Sequence, residues 1–276
     1  MKRWRKAALN AIAIACALVI ALTAVSLHAY LADVTNAKYP EAVGETVYEG
    51  SGVTIDASNA SGGYLMIKAS RKKKLKLRIV KGDGTYTYDL PTGEYQIFPL
   101  QLGSGTYQVT AFEQVRGSQY AQLYAKKVKV ALSDESGYAL YPSQYVSYDA
   151  SYAAVAKSSE LAKGLADDAA ITKAVIDYVV GTVLYDHILA KTVQSGYLPD
   201  PDTTLSTKKG ICFDYAALVA CMLRVQGIKC KLVIGYADTF YHAWNEVLLG
   251  GEWKRYDTTS MVTGLKVVKY TTERFY

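Results

Sequence analysis

Residues 241–257 leave this chain little freedom of fold. Tyr241-His242-Ala243-Trp244-Asn245-Glu246-Val247-Leu248-Leu249 has the composition of a strand, and Gly250-Gly251 suits a two-residue hairpin turn. Glu252-Trp253-Lys254-Arg255-Tyr256-Asp257 then returns as the second strand. With both glycines in the turn, opposed residues have numbers that sum to 501. Asp257 then faces Trp244, and Thr259 faces His242. Asp257 also lies diagonally beside His242 on one face of the sheet, about 7–8 Å away, a gap that imidazole and carboxylate side chains can close. A slip of one residue would put the two on opposite faces, so the pairing depends on this turn. An alternating run over 228–236 precedes the hairpin and reads as another strand.

Upstream, Lys209-Gly210-Ile211-Cys212-Phe213-Asp214-Tyr215-Ala216 leads into the apolar run Ala217, Leu218, Ala220, Cys221, Met222, Leu223. Arg224 and Gln226 follow, and Gly227 is the stop. This predicts a helix of about 14 residues with Cys212 at its start. Unpaired N–H groups and the helix dipole at that place stabilise a thiolate, and the same N–H groups can hold a developing oxyanion. A thiol, an imidazole and a carboxylate are thus supplied in the roles of nucleophile, base and orienter. Cys212 would attack a carboxamide carbonyl. His242 would carry the proton to the leaving amine, and Asp257 would fix the imidazole tautomer. Taken singly, each residue has a plainer reading: a core cysteine, a strand histidine and a strand-end carboxylate.

Four linked blocks strengthen the joint reading. Gly210-x-Cys212 with Asp214-Tyr215-Ala216, Leu223-Arg224-x-x-Gly227-Ile228, His242-Ala243-Trp244-Asn245-Glu246-Val247 and Trp253-x-x-x-Asp257-Thr258 resemble, in this order, the transglutaminase-like superfamily. The likeness covers about residues 171–260. It implies a papain-like α+β core, with Cys212, His242 and Asp257 as a catalytic triad. Tyr185-Asp186 is similar to the pair that ends the helix before the family's catalytic loop, which implies that Tyr185 lines the site or aids the oxyanion. Trp244 and Trp253 read as core or site-wall residues, with Trp244 the nearer to substrate. Cys221 and Cys230 read as buried apolar residues, or alternatively as a disulfide. His187 has no visible partner.

The rest of the chain divides by composition. Lys2, Arg3, Arg5 and Lys6 precede a run over 7–25 that is apolar except for Asn10 and Thr23. A basic segment before such a run is an export signal or, if retained, a membrane anchor, assigned here to residues 1–32. Cys16 lies within it as a small apolar residue. Of the 31 basic residues those four belong to the leader, so 27 remain against 25 acidic ones, and the net charge of +6 falls to +2. Nucleic acid is therefore a poor partner. Residues 45–132 show short alternating runs separated by Gly-rich turns at roughly ten-residue spacing, the pattern of a small β-sandwich. The basic residues of 71–78 alternate with Leu75, Leu77 and Ile79; they read as the solvated face of an edge strand or as a contact for anionic wall polymer. Residues 133–150 read as a linker or docking strand, and 151–276 as the catalytic domain. Its first part holds an Ala-rich helix over 151–166 and a second helix, capped by Asp168 and running to about 184, which buries Ile171, Val175, Ile176, Val179 and Val180. Residues 186–210 read mainly as loop.

The expected function is an exported cysteine acyl-transfer enzyme that acts on peptide or protein amides, cell-wall material among them, outside the cytoplasm. No metal or other cofactor is expected, since no acidic run has the spacing of a calcium loop. Hydrolysis is favoured. Crosslinking by an amine acceptor and a non-catalytic surface scaffold are the alternatives.

Overall fold

The computed structural model describes residues 36–276. The leader expected over 1–32, with Cys16, lies outside the described residues. Among the described residues no helix is long and apolar enough to cross a membrane.

The N-terminal half is built from two four-stranded antiparallel sheets. One sheet has the order β1 (Val47–Gly50), β2 (Val53–Asp56), β3 (Tyr64–Ala69), β6 (Gln96–Pro99). The other runs β5 (Gly84–Asp89), β4 (Leu75–Lys81), β7 (Gly105–Arg116), β8 (Gln119–Val130). Alternation decides their inner faces: Val53, Ile55, Leu65 and Ile67 are buried from the first sheet, and Leu75, Leu77, Ile79, Tyr107 and Val109 from the second. Tyr88 of β5 meets Phe98 of β6 edge-on at 5.3 Å, joining the two sheets.

The basic strip corrects one expectation. β4 pairs with β5 on one side and β7 on the other, so it is an inner strand and not an edge. Alternation reveals which side of a strand meets solvent, but it does not reveal how many neighbours the strand has. The solvent-facing cations are partly matched: Lys76 lies 2.6 Å from Asp89, Arg71 lies 2.8 Å from Glu113, and Arg78 stacks over Phe112 at 4.5 Å.

The segment expected as a linker or docking strand is packed. It contains a 3₁₀ turn over Gly137–Leu140, and it buries Tyr138, Ala139, Val146 and Tyr148. Tyr145 lies 4.1 Å from Tyr276 and 5.8 Å from Phe213, centroid to centroid. Its tyrosines carry enough apolar surface to be worth burying, which a Ser- and Gly-rich tether lacks. Residues 37–276 accordingly form one compact unit.

The C-terminal half centres on a helix. α1 (Ala153–Ala162), α2 (Asp168–Thr182) and α4 (Pro201–Thr207) pack against α5 (Cys212–Arg224), together with the sheet β13 (Glu252–Tyr256), β12 (Phe240–Leu249), β11 (Cys230–Ala237), β14 (Tyr270–Phe275). Every residue of α5 from Asp214 to Arg224 is buried, as its all-round apolar surface requires. Gly227, at φ +79°, turns the chain out of this helix. On α2, Val175, Ile176 and Val179 are buried as expected, whereas Ile171 and Val180 are only half-buried and Thr172 takes an inner place. The cap of that helix is Asp167 and not the expected Asp168: its side chain accepts the Ala170 N–H at 2.8 Å, which makes Asp168 the first helical residue. Cys221 and Cys230 are both buried and unpaired. Burial raises both thiols, that of Cys230 to about 12.

Residues 186–210 are more ordered than a loop. They hold α3 (His187–Thr192), α4 and two paired residues, β10 (Lys209–Gly210), which lies parallel to β9 (Leu184–Tyr185). Asp186 caps α3 by accepting from Ile188 and Leu189 N–H, and Asp200 caps α4 by accepting from Thr203 N–H at 2.6 Å. Pro201 sits at the first position of α4, where its missing N–H costs nothing. The Pro-Asp-Pro-Asp stretch thus marks a capped helix start.

Gly235 sets the position of the last strand. The pairing of β11 with β14 shifts between Ile234 and Gly235, and a Cβ at Gly235 would lie 2.0 Å from the Thr271 carbonyl oxygen. Gly235→Ala is expected to push β14 away and to destabilise the fold by about 1–3 kcal/mol, read as a lower urea midpoint.

Candidate active site

Cys212 opens α5, is half-buried and lines a cleft of about 450 Å³. Two residues shape this helix start. Asp214, in the third helical position, accepts the Ile211 N–H at 2.8 Å. A Cβ at Gly210 would stand 2.6 Å from that of Asp214, so only glycine lets the chain enter beside this carboxylate. Tyr197, from the loop over the cleft, donates its hydroxyl to Asp214 at 2.7 Å. Burial raises the Asp214 carboxyl and the charge of Asp186 adds to this, while the bonds from Tyr197 and Ile211 oppose it. The loop wall and the thiol-bearing helix start are thereby tied to one buried carboxylate. The N–H groups of the first helical turn have no partner within the helix and are open to an acceptor at Cys212.

His242 lies on β12 and is buried. The hairpin register is as expected from Leu249↔Glu252 to Asn245↔Tyr256. The strand pairing stops there, which corrects the expectation for the next residues. Asp257 does not stand in the sheet opposite Trp244, and Thr259 does not face His242. Asp257 instead caps α6 (Thr258–Thr263), its Oδ1 accepting Ser260 N–H at 3.0 Å. Aspartate is among the best N-caps, and that preference ends the strand one residue early. The cap still delivers the carboxylate: His242 Nε2 donates to Asp257 Oδ2 at 2.9 Å. The same oxygen accepts the Ser260 hydroxyl at 2.5 Å and the Tyr270 hydroxyl at 2.8 Å. With Nε2 taken, Nδ1 is the ring nitrogen left to take a proton from Cys212, whose charge acts on His242.

The electrostatics follow from these partners. Burial alone would lower the His242 pKa, but the bonds and charges of Asp257 and Cys212 outweigh it and push the group up to about 9. Burial would raise the Asp257 carboxyl, but His242 and Ser260 hold it below its ordinary value. Burial and then Asp257 push the Tyr270 hydroxyl up to about 12. A pH dependence of stability is expected. His242 binds its proton more tightly folded than unfolded, so its contribution is whole below about pH 6.5, shrinks as pH rises toward 9 and is gone above it. Asp257 contributes above its ordinary value near 3.8 and loses that contribution as pH falls through its lower folded value. Urea unfolding of the wild type should therefore weaken between pH 6.5 and 9, and His242→Ala should flatten that limb.

Tyr185 lines the same cleft as Cys212, its ring edge-on to His187 at 4.9 Å. Trp244 is buried behind His242, with ring centroids 6.3 Å apart, and meets Tyr270 edge-on at 5.0 Å. It supports the imidazole and does not line the cleft. Among the described residues no group of three His, Cys, Asp or Glu side chains has the arrangement of a metal site. Tyr270, Ser260, Tyr197, Arg274 and Tyr276 went unread at the sequence level. The β-branched and aromatic residues among 270–276 and the Asp257-Thr258-Thr259-Ser260 cap were the signals available.

Comparison with known proteins agrees with this core. Residues 155–258 match the family model of the transglutaminase-like superfamily. The matched segment contains Cys212, His242 and Asp257 and stops before Tyr270. The kyphoscoliosis peptidase of Mus musculus is 37% identical over 87 residues, which is 27% of this chain and 13% of the mouse protein. The kyphoscoliosis peptidase of Homo sapiens is 37% identical over 71 residues, 21% of this chain and 11% of the human protein. The chain thus spans only a small part of these relatives. Among solved structures, a candidate cysteine protease from Cytophaga hutchinsonii aligns over 72% of this chain and 80% of its own, with 18% identity and a TM-score of 0.41. A TGase aligns over 44% of this chain and 33% of its own, with 22% identity and a TM-score of 0.35.

Proposed function

We propose that this protein is a cysteine-dependent acyl-transfer enzyme that opens amide bonds through a thioester on Cys212. The carrying observation is the Cys212–His242–Asp257 chain at a helix start, with its buried 2.9 Å bond from His242 to Asp257. Cys212 sulfur bonds to the carbonyl carbon, and its proton passes to His242. The N–H groups of the helix start hold the oxyanion. His242 returns the proton to the amine nitrogen as the C–N bond breaks. Water then attacks the thioester carbon with His242 as base; the carbon–sulfur bond breaks and the thiol is restored. Asp257, Ser260 and Tyr270 hold the imidazole in place throughout.

Hydrolysis is favoured because Cys212 is only half-buried, so water reaches it. The peptidase name of the mouse and human relatives agrees with this choice. The basic–apolar leader supports action outside the cytoplasm, and the strip over 71–78 offers charge for anionic wall material. The test is incubation of a glutamine-containing peptide with and without a primary amine, read by mass. Cleavage or deamidation without amine incorporation is expected. Dominant amine incorporation would make the enzyme a crosslinker, and an unchanged peptide library with intact protein would overturn the reading.

A further inference from the structure

The cleft carries charge of one sign. Its lining includes His242 and Arg274 and no Asp or Glu. Arg274 stands on β14 opposite Ile234 of β11, and both residues line the cleft. The alternation of a strand puts Tyr276 on the same side and directs Glu273 to the other. The guanidinium lies within charge range of the Tyr276 and Tyr241 hydroxyls and of Glu273. It makes no ion pair among the described residues, although the chain's other cleft cation, His242, has its carboxylate. An exposed guanidinium fork beside a reactive thiol, framed by two tyrosine hydroxyls, matches a carboxylate in shape and donor pattern.

We propose that Arg274 is a specificity residue that binds a substrate carboxylate, so that the cleft prefers amides bearing an acidic group next to the bond that is opened. This rests on Cys212 being the nucleophile. The carboxylate belongs to an Asp or Glu side chain or to a free chain end.

A pair of alkylating probes tests the point without a known substrate. Iodoacetate and iodoacetamide both transfer a carbon to Cys212 sulfur with loss of iodide, and they differ in a carboxylate against an amide. Rates are read on the Cys212 peptide by mass, in the full-length chain at neutral pH. Because His242 also attracts the anion, the comparison is between wild type and variants. The iodoacetate-to-iodoacetamide rate ratio is expected to fall at least threefold in Arg274→Gln and to fall less in Arg274→Lys. A smaller fall in Arg274→Gln, with its circular dichroism unchanged, would overturn the proposal. The parent reading is scored separately: an iodoacetamide rate equal in wild type and His242→Ala would sink the Cys–His pair, while the ratio would still report on Arg274. Peptides with Glu against Gln beside the scissile bond, and with a free against an amidated C-terminus, separate the two sources of carboxylate.

Discussion

Cys212→Ser is expected to abolish amide turnover, lowering kcat/KM by about 10⁴-fold or more, while the thermal midpoint moves little. The side chain sits half-buried at the first position of α5, so exchanging sulfur for oxygen leaves the helix cap and the Asp214–Ile211 bond intact. What is lost is the nucleophile. A hydroxyl is far less acidic than a thiol, so the imidazole cannot convert it into an ionised nucleophile as it can the thiol. Asp257→Asn should also cost rate, by about 10²–10⁴-fold, because an amide can hold the wrong imidazole tautomer. Unlike Cys212→Ser it should lower stability as well, since Asp257 also caps α6 and receives Tyr270. The paired measurement is single-turnover rate and urea midpoint for each variant. Turnover in Cys212→Ser within tenfold of wild type would remove Cys212 from the chemistry.

The largest effect on stability is expected at Arg224, well away from the thiol. This side chain is fully buried at the end of α5, and among the described residues it forms no ion pair with a carboxylate. It donates to the carbonyls of Cys230 at 2.9 Å, Tyr141 at 2.5 Å and Tyr276 at 2.7 Å. One planar fork thereby ties the central helix to β11, to the connecting segment and to the end of β14. Burial depresses the guanidinium from its usual value, yet an arginine so far from neutrality keeps its charge. Arg224→Ala leaves a cavity and strips carbonyls of a donor, and we expect a loss on the order of 3–5 kcal/mol. For a chain of this size that lowers Tm by roughly 6–20 °C. Arg224→Lys should fall between, because one ammonium does not span three carbonyls set around a fork. Arg224→Met should recover part of the loss by filling space without a buried charge. Differential scanning calorimetry of the three variants checks the order. Equal stability of wild type and Arg224→Ala would mean that the three carbonyls find other donors.

Much of the segment that carries Cys212 and His242 was legible because its determinants are local. Gly250-Gly251 sets the hairpin register by turn geometry alone, and the structure keeps that register through Asn245↔Tyr256. The run after Cys212, closed by Gly227, specifies a buried helix by its apolar content and its stop. Local rules also explain where the reading failed. Asp257 can serve as a strand residue or as a helix cap, and Asp200-Pro201 as a loop or as a helix start. In both places capping chemistry wins, because it satisfies backbone N–H groups that would otherwise go unpaired.

The sequence by itself determined the central helix with its thiol at the start, the hairpin that carries His242 and the alternating inner faces of the sandwich. Those features rest on interactions between residues a few positions apart. Only the tertiary structure decided that β4 is an inner strand, that the segment over 133–150 packs tightly, and that β14 lies beside β11. The last of these brings Tyr270 to Asp257 and turns Arg274 and Tyr276 into the cleft. Strand adjacency across some forty residues depends on burial and backbone pairing summed over the whole sheet. No short stretch of sequence carries that sum, and the charge of the candidate cleft depends on it.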